Sequence, residues 1–333
     1  TQIMESYEAI YNFILANIKY NNIKKLDVEF TGGEPLLNKE LIVNLVKTLN
    51  ENLLLTDINY TLITNGVLLD NDIIQFLSEN KFSVQISLDG FKNDHNLERH
   101  GENIYNSYDV IINKMKKILT DELNIDLILR INVTNKNKDN LYLLVDDLVK
   151  KFSAKQLKSI YLYFSIVDVS FDSENYINYS EYAKIIVGLY TYVMLNGIKL
   201  KTFELFGGDC MARNRKSLTI LPNGNIVKCY SLVSYKQFYD NRKIEDIRYI
   251  EDIDPILAYC PSKDCPIYNN CMGGCGYRSY IESRKFKNSC DYESLLYINK
   301  FLFILELISD LGENIKNPAD EVNYVEVKKI CFE

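Results

Sequence analysis

The chain has 333 residues, a length that fits about two domains. Hydrophobic residues make up 47% and charged residues 25%, the balance of a folded globular protein, which excludes disorder as the main state. A formal net charge of −7 repels phosphate backbones and excludes nucleic-acid binding as the main task.

Strand-like and helix-like segments alternate through the first 200 residues. The apolar run 26–31 stops at Gly32-Gly33 and predicts a strand, after which Leu41, Ile42, Leu45, Val46 and Leu49 recur at helical spacing. Residues 60–64 read as a strand ended by the turn signal Asn65-Gly66, and Ile73, Ile74, Phe76 and Leu77 as a helix. A strand over 82–88 ends at Asp89-Gly90. A helix over 104–119, a strand over 125–133, a helix over 139–151, a strand over 159–167 and a helix over 179–196 follow. This β-then-α repeat predicts a parallel sheet with helices outside it. Its chemistry-bearing residues, 32–35, 64–66, 87–89 and 132–134, all fall at strand C-terminal ends, the edge where such sheets bind ligands.

The pattern breaks near residue 198. Residues 218–229 read as a β-hairpin turning at Pro222-Asn223-Gly224. Cysteine-rich loops follow, then a helix over 292–312 and a peripheral tail after Asn317-Pro318. The most apolar long segment, 295–311, carries Lys300, Glu306 and Asp310, too many charges for a bilayer span. The start of the chain has no form of a secretory signal.

Cysteine placement is the sharpest compositional feature. None of the eight occurs before residue 210, and seven fall at Cys210, Cys229, Cys260, Cys265, Cys271, Cys275 and Cys290; the eighth is Cys331. Thiols this dense suit disulfides, structural zinc or iron–sulfur clusters. Disulfides belong to small secreted chains. Zinc takes four thiolates and leaves three without a role. Two iron–sulfur clusters take up to eight.

The pattern C-x13-G-x4-C, then C-x4-C-x5-C-x3-C, then a last cysteine, resembles the SPASM domain of radical S-adenosylmethionine (radical SAM) enzymes. Only the spacing between Cys260 and Cys265 departs from it, being longer than usual. By this resemblance Cys260, Cys265, Cys271 and Cys290 hold an outer auxiliary 4Fe–4S cluster. Cys210, Cys229 and Cys275 supply three ligands of an inner one, whose fourth ligand is Cys331, an upstream residue or an open iron. Upstream, Gly32-Gly33-Glu34-Pro35 resembles the family's GGEP motif: glycines admit a ligand to the backbone and Glu34 offers a carboxylate to an ammonium. Thr64-Asn65-Gly66 is similar to the family's TNG segment. Ser87 and Asp89 are similar to the strand end that meets the cofactor ribose, and His95-Asn-Leu-Glu-Arg99 to its H-N-x-x-R stretch. Arg99 is then a carboxylate binder, Asn132 a further cofactor candidate, and His95 a hydrogen-bonded loop histidine in preference to a base.

The resemblance implies a partial (β/α)6 TIM-like barrel lacking its first strand over 1–200, a SPASM domain over 201–312 with a β-hairpin and a C-terminal helix, and a tail over 313–333. It implies S-adenosyl-L-methionine and two auxiliary 4Fe–4S clusters as cofactors. The family's C-x3-C-x2-C loop, which binds the catalytic 4Fe–4S cluster, is absent. The expectation is that this third cluster belongs to a missing N-terminal segment, in keeping with Thr1 in place of Met, so that the fragment alone is inactive. In the family, one electron from that cluster splits S-adenosylmethionine, and a 5′-deoxyadenosyl radical takes hydrogen from the substrate.

The expected function is a peptide maturase installing a thioether or carbon–carbon crosslink in a ribosomally made precursor peptide. A one-electron donor such as flavodoxin or ferredoxin serves it in the cytoplasm, with no membrane or nucleic-acid partner. The alternatives are a sulfatase-maturating enzyme and a non-enzymatic iron–sulfur or zinc protein. Against the sulfatase branch stand Tyr230, where that branch has an aspartate base, and Glu204, where it has an extra cysteine.

Overall fold

In the computed structural model, strands β1 (Lys25–Phe30), β2 (Asp57–Thr64), β3 (Ser83–Ser87), β4 (Asp126–Val133), β5 (Ile160–Ile166) and β6 (Lys199–Leu200) form one sheet in that spatial order. Every pairing is parallel. Residues 7–54, 56–99, 106–170, 172–200 and 210–312 are described, without the side chains of residues 270 and 305–312. The sixth strand is a two-residue pairing onto β5 that the sequence pattern did not reveal.

Helices α1 (Glu8–Asn21), α2 (Lys39–Asn52), α3 (Asn71–Glu79), α4 (Lys92–Glu98), α5 (Ser107–Thr120), α6 (Leu141–Lys151), α7 (Ala154–Leu157) and α8 (Tyr179–Leu195) are interleaved with these strands. Their starts follow local chemistry. Asn38, Asp70, Asn106 and Asn178 each accept a backbone N–H of the first turn of the helix that follows, which satisfies donors that helix geometry leaves free. α2 buries Ile42, Leu45, Val46 and Leu49, the stripe its spacing predicts.

Strand periodicity of two divides the sheet into an apolar and a polar face. Leu129, Ile131 and Val133 of β4 are buried against the helices. On the opposite face, Ser87 lies in register with Arg130 and Tyr163, and Asn132 with Ser165. Glu29, Thr61 and Ser83 continue that face across β1 to β3.

The second region begins, among described residues, at Cys210. Strands β7 (Thr219–Ile220), β8 (Asn225–Val227) and β9 (Tyr239–Lys243) form an antiparallel sheet, the first two being the expected hairpin. Helices α9 (Tyr268–Cys271), α10 (Gly276–Ser283) and α11 (Tyr292–Gly312) follow. α11 returns to the first region and packs on α8, burying Ile298, Phe301 and Leu302 in the core of the parallel sheet. α1 reaches the other way. Its Phe13 is buried among Ile226, Ile244, Ile247 and Ile253, and Tyr20 stacks on Tyr249 at 4.0 Å. Asn17 donates to the carbonyl of Arg248 and accepts from the N–H of Ile250.

Candidate cofactor edge and cysteine module

At the C-terminal end of β1, nothing lies within 4 Å of where a Cβ would stand on Gly32 or Gly33, and Gly32 has φ +140°. The loop therefore presents bare backbone to open space. Glu34 turns the other way. Its Oε1 accepts from Leu36 N at 3.0 Å and from the Thr64 hydroxyl at 2.7 Å, and its Oε2 from Asn65 N at 2.8 Å. The carboxylate expected to meet an ammonium thus ties the end of β1 to the end of β2, with three of roughly four acceptor positions used. Pro35 opens a short 3₁₀ turn, Pro35–Asn38. Gly66 completes this corner: its φ is +79°, and a Cβ would meet Ile86 Cγ2 at 2.9 Å.

The ends of β3 and β4 meet in a second network. Asp89 Oδ2 accepts from Arg99 Nε at 2.5 Å, and Asp89 Oδ1 from Asn132 N at 3.1 Å. Asn137 Nδ2 donates to the carbonyls of Asp89 and Asn132 at 3.0 and 2.8 Å. Asp89, Arg99 and Asn132 are therefore neighbours, with the nearly buried Ser87 at the same strand end. Arg99 is paired with Asp89 in this structure. His95 is fully buried, and its Nδ1 accepts from Asp89 N at 3.1 Å. Burial holds its pKa down at about 4, against an opposing pull from Asp89, so the imidazole is neutral and structural.

Sequence reasoning passed over Asn137, whose signal is a buried amide three residues beyond Thr134, and Arg130, a charge inside an apolar strand. Arg130 donates to Asn132 Oδ1 at 3.2 Å and to Ser165 Oγ at 3.3 Å, and lies over the Tyr163 ring.

Seven cysteines of the second region are free thiols. Cys210 and Cys229 share an apolar cluster with Ala212, Val227, Leu232 and Leu257. Burial pushes the Cys229 thiol up to about 11, and Cys275 and Cys210 lie near enough to add to the rise. The Cys275 thiol is raised too, first by burial and then by Asp168. Burial thus favours the neutral thiol at both, and a bound cation would favour the thiolate.

The loops carrying the other cysteines are stitched together. Cys260 N donates to Met272 O at 3.0 Å, Gly274 N to Cys271 O at 3.0 Å, Ser289 N to Gly273 O at 3.1 Å, and Cys275 N to Ser289 Oγ at 2.9 Å. Gly274 has φ +67°, and a Cβ there would stand 2.4 Å from Ser289 O. Among the described residues no three Cys, His, Asp or Glu side chains surround a single-ion position. The free thiols and the Cys210–Cys229–Cys275 neighbourhood are chemically suited to iron–sulfur ligation. Cys331 and Glu204 lie outside the described residues.

Near the strand ends a further side chain joins the regions. Arg278, on α10, donates to Asp168 Oδ1 at 2.7 Å beyond β5 and to Asp291 Oδ2 at 2.9 Å beside Cys290, with its guanidinium 4.4 Å over the Tyr179 ring. A cavity of about 570 Å³ opens next to it, lined in part by Asp168, Tyr179, Glu282 and Cys290. Tyr230, following Cys229, is half exposed, yet its phenol is raised by burial and feels Arg130, Cys229, Glu29 and Cys275 in turn.

Fold and site together define a partial α/β barrel whose open strand-end loops face a free-thiol module. Residues 6–145 match the Radical SAM superfamily. The cysteine-type anaerobic sulfatase-maturating enzyme of Clostridium novyi is 27% identical over 269 residues, 79% of this chain and 58% of that protein. Its counterpart in Clostridium perfringens strain 13 is 24% identical over 326 residues, 86% of this chain and 83% of that one. An uncharacterized protein of Methanocaldococcus jannaschii is 33% identical over 136 residues, 41% of this chain and 45% of that protein. The chain thus spans about half the length of the first and last of these relatives. Among solved structures, hexahistidine-tagged anSMEcpe with bound AdoMet superposes with a TM-score of 0.71 at 18% identity, covering 96% of this chain and 88% of that one. Native anSMEcpe with bound AdoMet and the Kp18Cys peptide gives 0.69 at 18% identity, covering 94% of this chain and 92% of that one. At such identity the likeness is one of fold. Over residues 6–145 the chain is similar to the radical SAM superfamily, and over most of its length it shares the fold of anSMEcpe.

Among the described residues no helix is long and apolar enough to cross a membrane.

Proposed function

We propose that the protein is a radical SAM enzyme that modifies a peptide or protein, with residues 1–200 forming the S-adenosylmethionine half, 201–312 the SPASM half and 313–333 a tail. One observation carries this reading. Arg278, three residues after Cys275, donates to Asp168 just beyond β5, so the cysteine module and the strand ends border one space. In it, the backbone of Gly32 and Gly33 and the residues Thr64, Asn65, Ser87, Asp89 and Asn132 border the place for S-adenosylmethionine. Glu34 and Arg99 hold that edge in shape. Cys210, Cys229 and Cys275 would hold one auxiliary cluster, and Cys260, Cys265, Cys271 and Cys290 the other. These groups supply one-electron chemistry when bound; the protein positions them and excludes water. A reducing, cytoplasmic setting and a flavodoxin- or ferredoxin-like donor suit such groups.

Between branches, the favoured product is a thioether or carbon–carbon crosslink in a precursor peptide, because Tyr230 offers a phenol where a carboxylate base serves sulfatase maturation. The second reading, sulfatase maturation, is favoured by the names of the Clostridium relatives.

The test is anaerobic reconstitution of the chain with ferrous iron and sulfide. The expected content is about eight irons and eight sulfides per chain, with S-adenosylmethionine binding seen by calorimetry. Zinc uptake without sulfide would overturn the reading in favour of a non-enzymatic metal protein. These 333 residues contain no C-x3-C-x2-C, and on this reading they do not cleave S-adenosylmethionine by themselves. In the whole enzyme, mass spectrometry of a cysteine-containing sulfatase peptide against a precursor peptide separates the two branches.

A further inference from the structure

Among the described residues two cationic side chains are buried, Arg213 and Lys228, each 2% exposed. Both belong to the cysteine module, three residues after Cys210 and one before Cys229. The ammonium of Lys228 donates to the carbonyls of Asn214, Arg215 and Ser217. Arg213 Nε donates to Ala258 O at 3.1 Å, and its Nη2 donates to Gly274 O at 2.9 Å and to Asn288 Oδ1 at 2.8 Å. All six acceptors are neutral. Arg213 Nη1 is buried without any acceptor.

A guanidinium taken out of water without an anion is costly, and an unmet donor adds to that cost. The acceptors say where this charge sits. Ala258 lies two residues before Cys260, Gly274 one before Cys275, and Asn288 two before Cys290. Gly273 has no side chain because a Cβ there would come within 2.9 Å of Asn288 and 3.0 Å of Arg213 Nη2. Arg213 is thus the hub on which three cysteine-bearing loops converge. Four thiolates around an iron–sulfur core leave the whole group anionic, and hydrogen bonds to its sulfurs raise its reduction potential.

We propose that Arg213 is the buried counter-charge and hydrogen-bond donor of the outer iron–sulfur group, whose ligands Cys260 and Cys290 follow two of its acceptors, a positioning residue with Nη1 as the donor left for the group. The inference rests on the iron–sulfur reading above. Lys228 adds a second buried positive charge on the Cys229 side.

The experiment compares the parent chain with Arg213→Met and Arg213→Lys, each iron-free and after anaerobic reconstitution with ferrous iron and sulfide. Thermal midpoint, iron and sulfide content, iron loss to a chelator and redox titration are read. Iron-free Arg213→Met is expected to melt at or above the parent, because a charge without a counter-ion has been removed. Once loaded, it is expected to lose iron about tenfold faster than the parent and to be reduced at a more negative potential. Arg213→Lys is expected to restore retention and much of the potential. Equal iron retention and an unchanged potential in loaded Arg213→Met overturn the proposal. So does an equal drop in melting temperature with and without iron, the mark of a purely structural residue. If the parent takes up no iron and sulfide, the iron–sulfur reading falls first and this inference with it; if the parent loads and the variants match it, the inference falls alone.

Discussion

The parallel sheet and the cysteine module treat buried charge in opposite ways. In the sheet, the buried Asp89 is met by Arg99 and by the N–H of Asn132, and Glu34 by a hydroxyl and two N–H groups. Protein pairs with protein, over a continuous apolar core. The module is held by two small apolar clusters, and it buries two cations beside free thiols. The first region answers its buried charges from its own side chains and backbone. On the proposed reading, the second is completed by an anionic iron–sulfur group. Marginal domains that rely on metal for folding follow the same logic.

The sharpest way to break this contrast is to remove metal. Stripping iron from the reconstituted chain should lower amide-exchange protection across 210–290 by about a thousandfold while β2 to β5 keep theirs; uniform loss over both regions would abolish the distinction. Next in size, Asp89→Ala leaves Arg99 and the N–H of Asn132 unmatched. It should cost the sheet region about 3–4 kcal/mol in urea unfolding, with iron content unchanged.

Acid offers a third probe. The pKa of His95 lies near 4, below the ordinary 6.5, so the unfolded chain binds the proton more readily. Its contribution to stability is complete above pH 6.5 and is lost as pH falls through 6.5 to 4, by roughly 3 kcal/mol. Urea midpoints of the sheet region across that window, compared with those of His95→Gln, measure it. A flat profile above pH 6.5 is part of the expectation. The smallest effect is expected from Gly274→Ala, whose Cβ would push on Ser289. A cost of about 2 kcal/mol should fall on the module alone and show as poorer iron retention.

Much of the sheet was legible in advance because each strand and helix there obeys its own period. The runs before Gly32, Asn65 and Asp89 end where β1, β2 and β3 end, and their polar residues do gather at one edge. What escaped is set by distance along the chain. Glu34, read as facing a ligand, also has protein partners, Thr64 and Asn65, some thirty residues on. Arg213 meets acceptors 45, 61 and 75 residues away, and no local pattern marks such a residue as buried. β6 and β9 are short and polar, and exist because neighbours offer them a ladder. The cysteine spacing was plain, whereas the reason for Gly273 and Gly274 lay in the return of Asn288 and Ser289.

The grip of α1 on the far region bears on how the chain is made. Asn17 closes its contacts with a loop 231 to 233 residues later. At ribosomal speeds of about 5–20 residues per second, roughly 10–50 s separate the two in synthesis. Throughout that interval the apolar flank around Phe13 is without its own neighbours and open to chaperones, while the intervening strands can already pair. The flank of α1 around Phe13 is therefore among the last surfaces of these residues to be covered.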